Sequence, residues 1–246
     1  MRELTANLRV PLDAGARAEI ERGSELEPTS TRPGRLLSLM SSAALVVNVF
    51  DYWRSRDTAP LVAALGLPAG SPRLRFEEPL PTGLEGDPPA SDVTLYWPSG
   101  RVAAIESKFG EWLVRRPRNK AVFKRKYFPP GGEVWLAAGL PRCQKLAADI
   151  DSGRERFRFL HAAQLLKHAL GLKRLNAPGT TLVYLYYDWP SREATEHAAE
   201  LAGFAGRIAA DFDFRVLTYQ ALQAALVAGG TLDAPYSAYL TQRYFR

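Results

Sequence analysis

The sequence predicts an α/β protein in which helices cover both faces of a central mixed β-sheet. Two observations carry this prediction. The hydrophobic and turn-forming residues give the order helix, three strands, helix, strand, helix, strand, which indicates helices packed around a mixed sheet. The segment 181–187 is almost continuously apolar, as expected of a central strand whose two faces are both covered.

The length and composition fit one globular domain. A chain of 246 residues with 46% hydrophobic residues can bury a large core. We expect a single domain over 1–246, with an N-terminal arm at 1–35, a core at 36–218 and a C-terminal helical segment at 219–246. The only cysteine, Cys143, excludes an internal disulfide and a cysteine-based zinc site.

No apolar run reaches the roughly 20 residues that span a bilayer, and the N-terminus lacks the apolar segment of a signal peptide. We therefore expect a cytoplasmic protein without a membrane partner.

The first helices are predicted from runs without glycine or proline. A short helix at 14–22 is expected in the arm, a largely buried helix at 36–54 and another helix at 59–65. Asn48 is a polar exception in the buried helix. We interpret it as a hydrogen-bonded core amide, with a role in a functional site as the alternative.

The remaining elements follow the same patterns of periodicity and turn residues. They are a strand at 73–78, helices at 141–151, 155–172, 192–210 and 219–228, a strand at 214–218 and a short C-terminal helical segment.

Two runs rich in β-branched and aromatic residues, on either side of a Pro-Ser-Gly turn at 98–100, predict a β-hairpin. With three residues in the loop, Asp92 lies directly opposite Glu106, and Lys108 shares their face. With only 99–100 in the loop, the register shifts by one residue and Asp92 turns to the other face.

Two carboxylates held this close repel each other, so either one takes up a proton or a cation lies between them. Hard divalent ions such as Mg²⁺ and Mn²⁺ prefer oxygen ligands and keep several of their waters. An ammonium beside them would stabilise the negative charge that a phosphate gains during in-line attack. Asp92, Glu106 and Lys108 thus supply the parts for phosphodiester hydrolysis by metal-activated water.

Asp92 followed by Glu106-Ser107-Lys108 resembles the signature of the PD-(D/E)xK nuclease superfamily, although Ser91 replaces the usual proline. The resemblance implies a three-layer restriction-endonuclease-like fold. It implies that Asp92, Glu106 and the carbonyl of Ser107 bind Mg²⁺, with Mn²⁺ as a substitute, and that Lys108 orients water or stabilises charge. It also implies DNA as substrate, no small-molecule cofactor, and a homodimer as in many such nucleases.

The run from Gln164 to His168, after Glu106-Ser-Lys-Phe109, is similar to an uncharacterised bacterial subgroup of this superfamily. By that resemblance Gln164 braces the catalytic site, while His168 contacts phosphate or assists proton transfer. His161 is a weaker candidate for the same task. A zinc site formed by His161 and His168 is the competing interpretation, but it lacks a third ligand.

Superfamily members often add a further acid to the metal site. Glu78 is the candidate that we take as a metal ligand, with Glu77 and Glu111 as alternatives. A solvent-facing glutamate is the ordinary interpretation of each.

The net charge of +6 favours a polyanionic partner, and the positive charge is concentrated after the hairpin. This basic run, residues 115–126, lies in a stretch without acidic residues between Trp112 and Gly132. The same stretch contains Phe123, Tyr127 and Phe128, whose rings could stack on bases. A solvated charged surface is the alternative. The basic residues are Arg115, Arg116, Arg118, Lys120, Lys124, Arg125 and Lys126.

The sequence therefore predicts a Mg²⁺-dependent nuclease that hydrolyses DNA. The first alternative is a non-catalytic DNA-binding or assembly protein on the same fold. The second is an enzyme acting on small anionic metabolites, which the lack of a phosphate-binding glycine loop disfavours.

Overall fold

The architecture is known from a computed structural model, which describes residues 7–23, 36, 40–115 and 122–245. Five strands form one mixed sheet in the order β1-β2-β3-β4-β5. The first three strands pair antiparallel, and β3, β4 and β5 run parallel. The strands are β1 (Arg73–Pro79), β2 (Ala90–Tyr96), β3 (Val102–Lys108), β4 (Thr180–Tyr186) and β5 (Asp213–Thr218).

Helices lie on both faces of the sheet, so the predicted α/β class with a mixed sheet is confirmed. One face packs against α2, α3, α7 and α8, and the other packs against α4, α5 and α6. The helices are α1 (Ala14–Arg22), α2 (Ser42–Phe50), α3 (Ala59–Ala64), α4 (Pro141–Asp151), α5 (Ala162–Arg174), α6 (Arg192–Ile208), α7 (Tyr219–Ala228) and α8 (Ala234–Tyr244).

The sheet separates two hydrophobic cores because side chains alternate along each strand. Ile105 and Val183 point into the core with α2 and α7, whereas Ala104 and Leu182 point into the core with α5 and α6. Strands β3 and β4 are buried along almost their whole length, in agreement with the apolar sequence of β4. No described helix combines the length and the apolar character needed to cross a membrane.

Two predicted helices are shorter than expected. The helix predicted at 36–54 is helical over α2, where the side chain of Ser41 caps the amide of Ala44 at 3.0 Å, and a 3₁₀ turn follows. The helix predicted from residue 155 begins only at Ala162. Glu200 on α6 accepts the backbone amides that precede it, which holds this segment in a non-helical conformation. These amides belong to Arg158, Phe159 and Leu160.

The described part of the N-terminal arm covers the edge of the sheet. The predicted helix at 14–22 coincides with α1, and its Glu19 is buried. The Glu19 carboxylate accepts the amide of Phe76 at 3.0 Å and pairs with Arg75 and Arg54. The arm therefore satisfies an edge-strand donor that would otherwise be open to another chain.

Asn48 is a hydrogen-bonded core amide, as predicted. Its Oδ1 accepts the amide of Arg9 at 2.8 Å, and its Nδ2 donates to the carbonyl of Asn7 at 2.9 Å and to the hydroxyl of Tyr244 at 2.8 Å. One buried side chain therefore connects α2 to the N-terminal arm and to α8.

Candidate active site

The hairpin has the register that the three-residue loop predicts. The amide of Trp97 donates to the carbonyl of Arg101 at 3.0 Å, and Gly100 closes the turn with φ 83°. Val93 pairs with Ile105. One step further along the antiparallel pair, Asp92 therefore lies opposite Glu106.

Asp92, Glu106 and Lys108 form a cluster at the carboxyl end of β3. Lys108 Nζ forms an ion pair with Glu106 Oε1. Asp92 Oδ2 accepts the amide of Ser107 at 2.6 Å, which keeps the Asp92 carboxylate against β3. Glu106 is only 1% exposed, while the Lys108 side chain retains 17% exposure. The cluster therefore has a buried carboxylate at its base and an ammonium that reaches the surface.

The electrostatic environment keeps Lys108 charged. Burial disfavours the ammonium, but the nearby carboxylates outweigh this effect and raise the pKa of Lys108 above its ordinary value. These carboxylates belong to Glu106, Asp92 and Glu111. Lys108 is thus a permanent cation at neutral pH, suited to stabilising negative charge rather than to accepting a proton.

His168 lies behind Glu106, and its position revises its predicted role. The ring is fully buried, and its Nδ1 is 3.3 Å from Glu106 Oε2. Burial lowers the pKa of His168, although Glu106 acts in the opposite direction. A phosphate cannot reach a buried ring, so the predicted contact between His168 and nucleic acid is wrong for this arrangement. The residue instead faces a site carboxylate.

Gln164 lies one helical turn before His168 on α5, the helix that packs on this face of the sheet. It is partly exposed, and its side chain makes no hydrogen bond within the described part of the chain. Its position is compatible with the predicted brace, but the role itself stays a prediction. His161 precedes α5 and is also partly exposed.

Glu111 is a further acid close to Lys108, whereas Glu78 has partners elsewhere. Glu78 accepts a hydrogen bond from the hydroxyl of Tyr96 at 3.3 Å and lies 3.5 Å from Arg22. Glu77, in a left-handed conformation with φ 45°, lies against Gly23 at the end of α1. Glu78, the predicted metal ligand, therefore has other partners, and Glu111 is the alternative acid that lies near Lys108.

Glu111 is held beside Lys108 by the turn that follows β3. Its Oε2 accepts the amides of Phe109 at 2.8 Å and Gly110 at 3.0 Å. Glu111 begins the 3₁₀ turn Glu111–Leu113, and its side chain folds back onto the two backbone amides that precede the turn. The carboxylate therefore has a defined place at the rim of the cluster.

Ser107 connects the site to the opposite face of the sheet. Its hydroxyl lies 2.7 Å from the hydroxyl of Tyr219, which is buried at the start of α7. Nothing in the sequence indicates this contact, because 112 positions separate the two residues. The predicted role of the Ser107 carbonyl in metal binding stays a prediction.

The residues present fit a hard divalent cation. Asp92 and Glu106 offer carboxylate oxygens from adjacent strands, and Glu106 Oε2 is buried without a hydrogen-bond donor in the described structure. The described residues contain no group of three or more histidine, cysteine or acidic side chains placed to hold a metal. Two carboxylates are nevertheless enough for Mg²⁺, which keeps several waters and often shares ligands with a substrate phosphate.

The structure describes four of the seven residues of the basic run, namely Arg115, Lys124, Arg125 and Lys126. Arg116, Arg118 and Lys120 lie outside the described residues. Lys124 and Arg125 are exposed. Lys126 donates to the backbone carbonyls of Glu85 at 2.5 Å and Asp87 at 3.3 Å, which ties the run to the loop before β2.

Arg115 is also exposed, and it lies 3.8 Å from Glu196 of α6. It therefore remains a candidate for nucleic-acid binding together with Lys124 and Arg125.

The aromatic residues of the run do not form the expected stacking surface. Phe123 and Tyr127 are buried, and Phe128 is partly buried. All three rings pack within 6 Å of the indole of Trp135, between ring centroids. They anchor the segment to the core, so base stacking by these residues is wrong for this arrangement.

Comparison with known proteins places the chain in a family. No curated protein and no solved structure matches it. The profile of a family described as "Restriction Endonuclease associating with ARP" matches residues 2–245, which include every residue of the cluster. The chain therefore belongs to this restriction-endonuclease family.

Proposed function

We propose that this protein is a Mg²⁺-dependent nuclease that hydrolyses phosphodiester bonds of DNA. The observation that carries the proposal is the position of Asp92 against β3, one step beyond the pair Val93–Ile105, with Lys108 paired to Glu106, in a chain of a restriction-endonuclease family. The family's description also names an association with ARP, which makes ARP an expected partner of this chain.

Asp92 and Glu106 are the residues that would hold the cation, with the carbonyl of Ser107 as a further ligand. A bound Mg²⁺, or Mn²⁺ in its place, would supply an acidified water and neutralise charge on the phosphate. The protein contributes the fixed spacing of the two carboxylates, since each lies on a rigid strand of the sheet.

Lys108 acts on the phosphate rather than on the cation. Its ammonium is permanently charged and partly exposed, so it can approach a phosphate oxygen as negative charge builds up in the transition state. Glu106 limits the mobility of this ammonium, and a preorganised donor is more effective than a flexible one. Gln164 completes the proposed catalytic set from α5.

DNA would be held at the same end of the sheet. The exposed side chains of Arg115, Lys124 and Arg125 follow the cluster in sequence, and Lys126 ties their segment to the loop leading into β2. Phosphate contacts of this kind position a duplex without reading its sequence. Dimerisation would allow both strands to be cut.

Cleavage of supercoiled plasmid and of linear single strands, with and without Mg²⁺, tests the proposal. Lys108→Met keeps the apolar stem and removes the charge, so the cleavage rate should fall by about 10²- to 10³-fold. Lys145→Met removes an exposed lysine from α4 and should cleave like the wild type. Equal cleavage by the Lys108 variant and the wild type, after matched purification, would refute the assigned role.

Isothermal titration with Mn²⁺ separates the nuclease from its non-catalytic alternative. The wild type should bind Mn²⁺, and Asp92→Asn, which retains an oxygen for the Ser107 amide, should bind much more weakly. A chain that binds DNA but neither binds Mn²⁺ nor cleaves would instead be a DNA-binding or assembly protein.

A further inference from the structure

The Glu106 carboxylate is approached from two sides. Lys108 Nζ pairs with Oε1, and His168 Nδ1 lies 3.3 Å from Oε2. The two partners come from different elements, one from β3 itself and one from α5. Together they restrict rotation of the carboxyl group about its last bond, which is the torsion that decides where the oxygens point.

From this arrangement we infer that His168 is a positioning residue for the metal ligand Glu106. The inference rests on the proposed function, because it assigns His168 to the same cation site. A carboxylate oxygen accepts hydrogen bonds and cannot donate them, so the His168 tautomer with a proton on Nδ1 is the one that Glu106 Oε2 attracts. His168 itself touches neither cation nor substrate.

Two polar groups bear on the His168 ring: the Glu106 carboxylate, which is the acid that faces it, and the backbone of Ala90. The ring is fully buried, and within the described residues neither nitrogen has a partner of full hydrogen-bond geometry, although the Ala90 backbone lies near enough to act on the ring. Burying an imidazole without a partner costs free energy. Glu106 Oε2 is likewise buried without a hydrogen-bond partner of full geometry among the described residues. Each group therefore lowers the desolvation cost of the other, which is a physical reason for the imidazole to be where it is.

A second fully buried histidine, His197, has different surroundings. His197 is fully buried too, but its Nε2 lies 3.0 Å from the hydroxyl of Tyr184 and its ring stacks on Trp112 at 4.5 Å. No carboxylate of a described residue forms an ion pair with it, and burial is the cause that lowers the pKa of His197. A buried histidine in this protein thus does not need an acid, and the pairing of His168 with Glu106 requires its own explanation.

The helix that carries His168 is rigidly packed. Leu165, Leu166, Ala169 and Leu170 around it are fully buried in the core under the sheet. Partners in the outer shell of a metal site that are fixed in this way contribute about 10- to 100-fold to metal affinity. Loss of the imidazole should therefore weaken the cation site even though no ligand is removed.

The test is the affinity for Mn²⁺, measured by isothermal titration of the full chain. His168→Phe keeps a ring and removes the donor, so the dissociation constant should rise by about 10- to 100-fold. His168→Asn places an amide N–H close to the position of Nδ1 and should restore most of the affinity. Cleavage by the Phe variant should recover as Mn²⁺ is raised, because its ligands and Lys108 are intact.

His197→Phe is the matched control. It also replaces a fully buried histidine by a ring, but it should leave the Mn²⁺ dissociation constant unchanged. Thermal unfolding of each variant checks the fold, and His168→Leu takes the place of the Phe variant if that variant does not fold.

Several outcomes overturn the inference. They are a Phe variant that binds Mn²⁺ as tightly as the wild type, an Asn variant as weak as the Phe variant, and a His197 variant that is weakened equally. Failure of the proposed function has a different signature. In that case the wild type binds no Mn²⁺, or Glu106→Gln binds it as tightly as the wild type, and the inference falls with the site.

Discussion

His197 is uncharged in the folded protein because of where it is buried. It lies between Trp112 and the hydroxyl of Tyr184, and burial lowers the pKa of His197 from 6.5 to about 4. The unfolded chain binds a proton here as the pH falls from about 7, whereas the folded chain does not. The free energy of unfolding is therefore fully retained above this range and declines as the pH falls towards the folded pKa.

His197→Phe should flatten this decline. Between about pH 7 and pH 4 the free energy of unfolding of the wild type should lose up to about 3 kcal/mol through His197 alone. Urea unfolding at a series of pH values measures the slope. The Phe variant keeps only the contributions of other groups, among them His168, whose pKa burial also lowers. His161→Phe, at a partly exposed position, is the control, and equal slopes for all three proteins would contradict the assignment.

At the scale of elements, α5 can approach the loop between β1 and β2 closely because it contains Gly171. A Cβ on this residue would lie 2.5 Å from the carbonyl oxygen of Leu80, a backbone atom that cannot move aside cheaply. Leu80 itself is held by a hydrogen bond from its amide to the carbonyl of Pro89 at 2.8 Å. The glycine therefore sets the distance between the loop before β2 and the helix that carries His168.

Gly171→Ala should destabilise the protein by about 1–3 kcal/mol, the usual cost of overpacking, and should weaken Mn²⁺ binding by shifting α5. Gly203→Ala is the matched helical control, because nothing lies within 4 Å of its added Cβ. That variant should gain about 0.5–1 kcal/mol from the better helix propensity of alanine. Chemical denaturation of both variants measures the change in the free energy of unfolding. A Gly171 variant as stable as the wild type would show that α5 can move without cost.

Elements set by local sequence could be predicted, whereas those set by distant contacts could not. The loop at 98–100 specifies the hairpin register, so the pairing of Val93 with Ile105, and with it the position of Asp92 near Glu106, followed from the sequence alone. The late start of α5 depends on Glu200, roughly 40 positions away from the amides it caps. The same limit applies to the site: His168 was recognised from its helix, but its partner Glu106 depends on how that helix packs.

At the scale of the whole molecule, two groups of exposed basic residues lie at opposite ends of the sheet. The cluster lies where β3 ends and β2 begins, and Lys126 fixes the basic segment to that same end. At the other end, α4 begins beside β5, since the amide of Cys143 donates to Asp211 at 2.8 Å. Arg142 and Lys145 on α4 are exposed at this second end.

This separation predicts which of these basic side chains contact DNA. Each phosphate contact contributes about −0.9 to the slope of log K against log salt concentration for duplex DNA. Removing Lys124 and Arg125 together, as alanines, should make the slope about 1.8 less steep, whereas the double variant Arg142→Ala with Lys145→Ala should leave it unchanged. Both variants lose the same net charge, so a general effect of charge would alter the two slopes equally. Fluorescence anisotropy of labelled duplex without divalent ions measures the slopes. Equal slopes for the two double variants would contradict this placement of the duplex. A change confined to the variant without Lys124 and Arg125 would place the duplex over the end of the sheet that carries Asp92, Glu106 and Lys108.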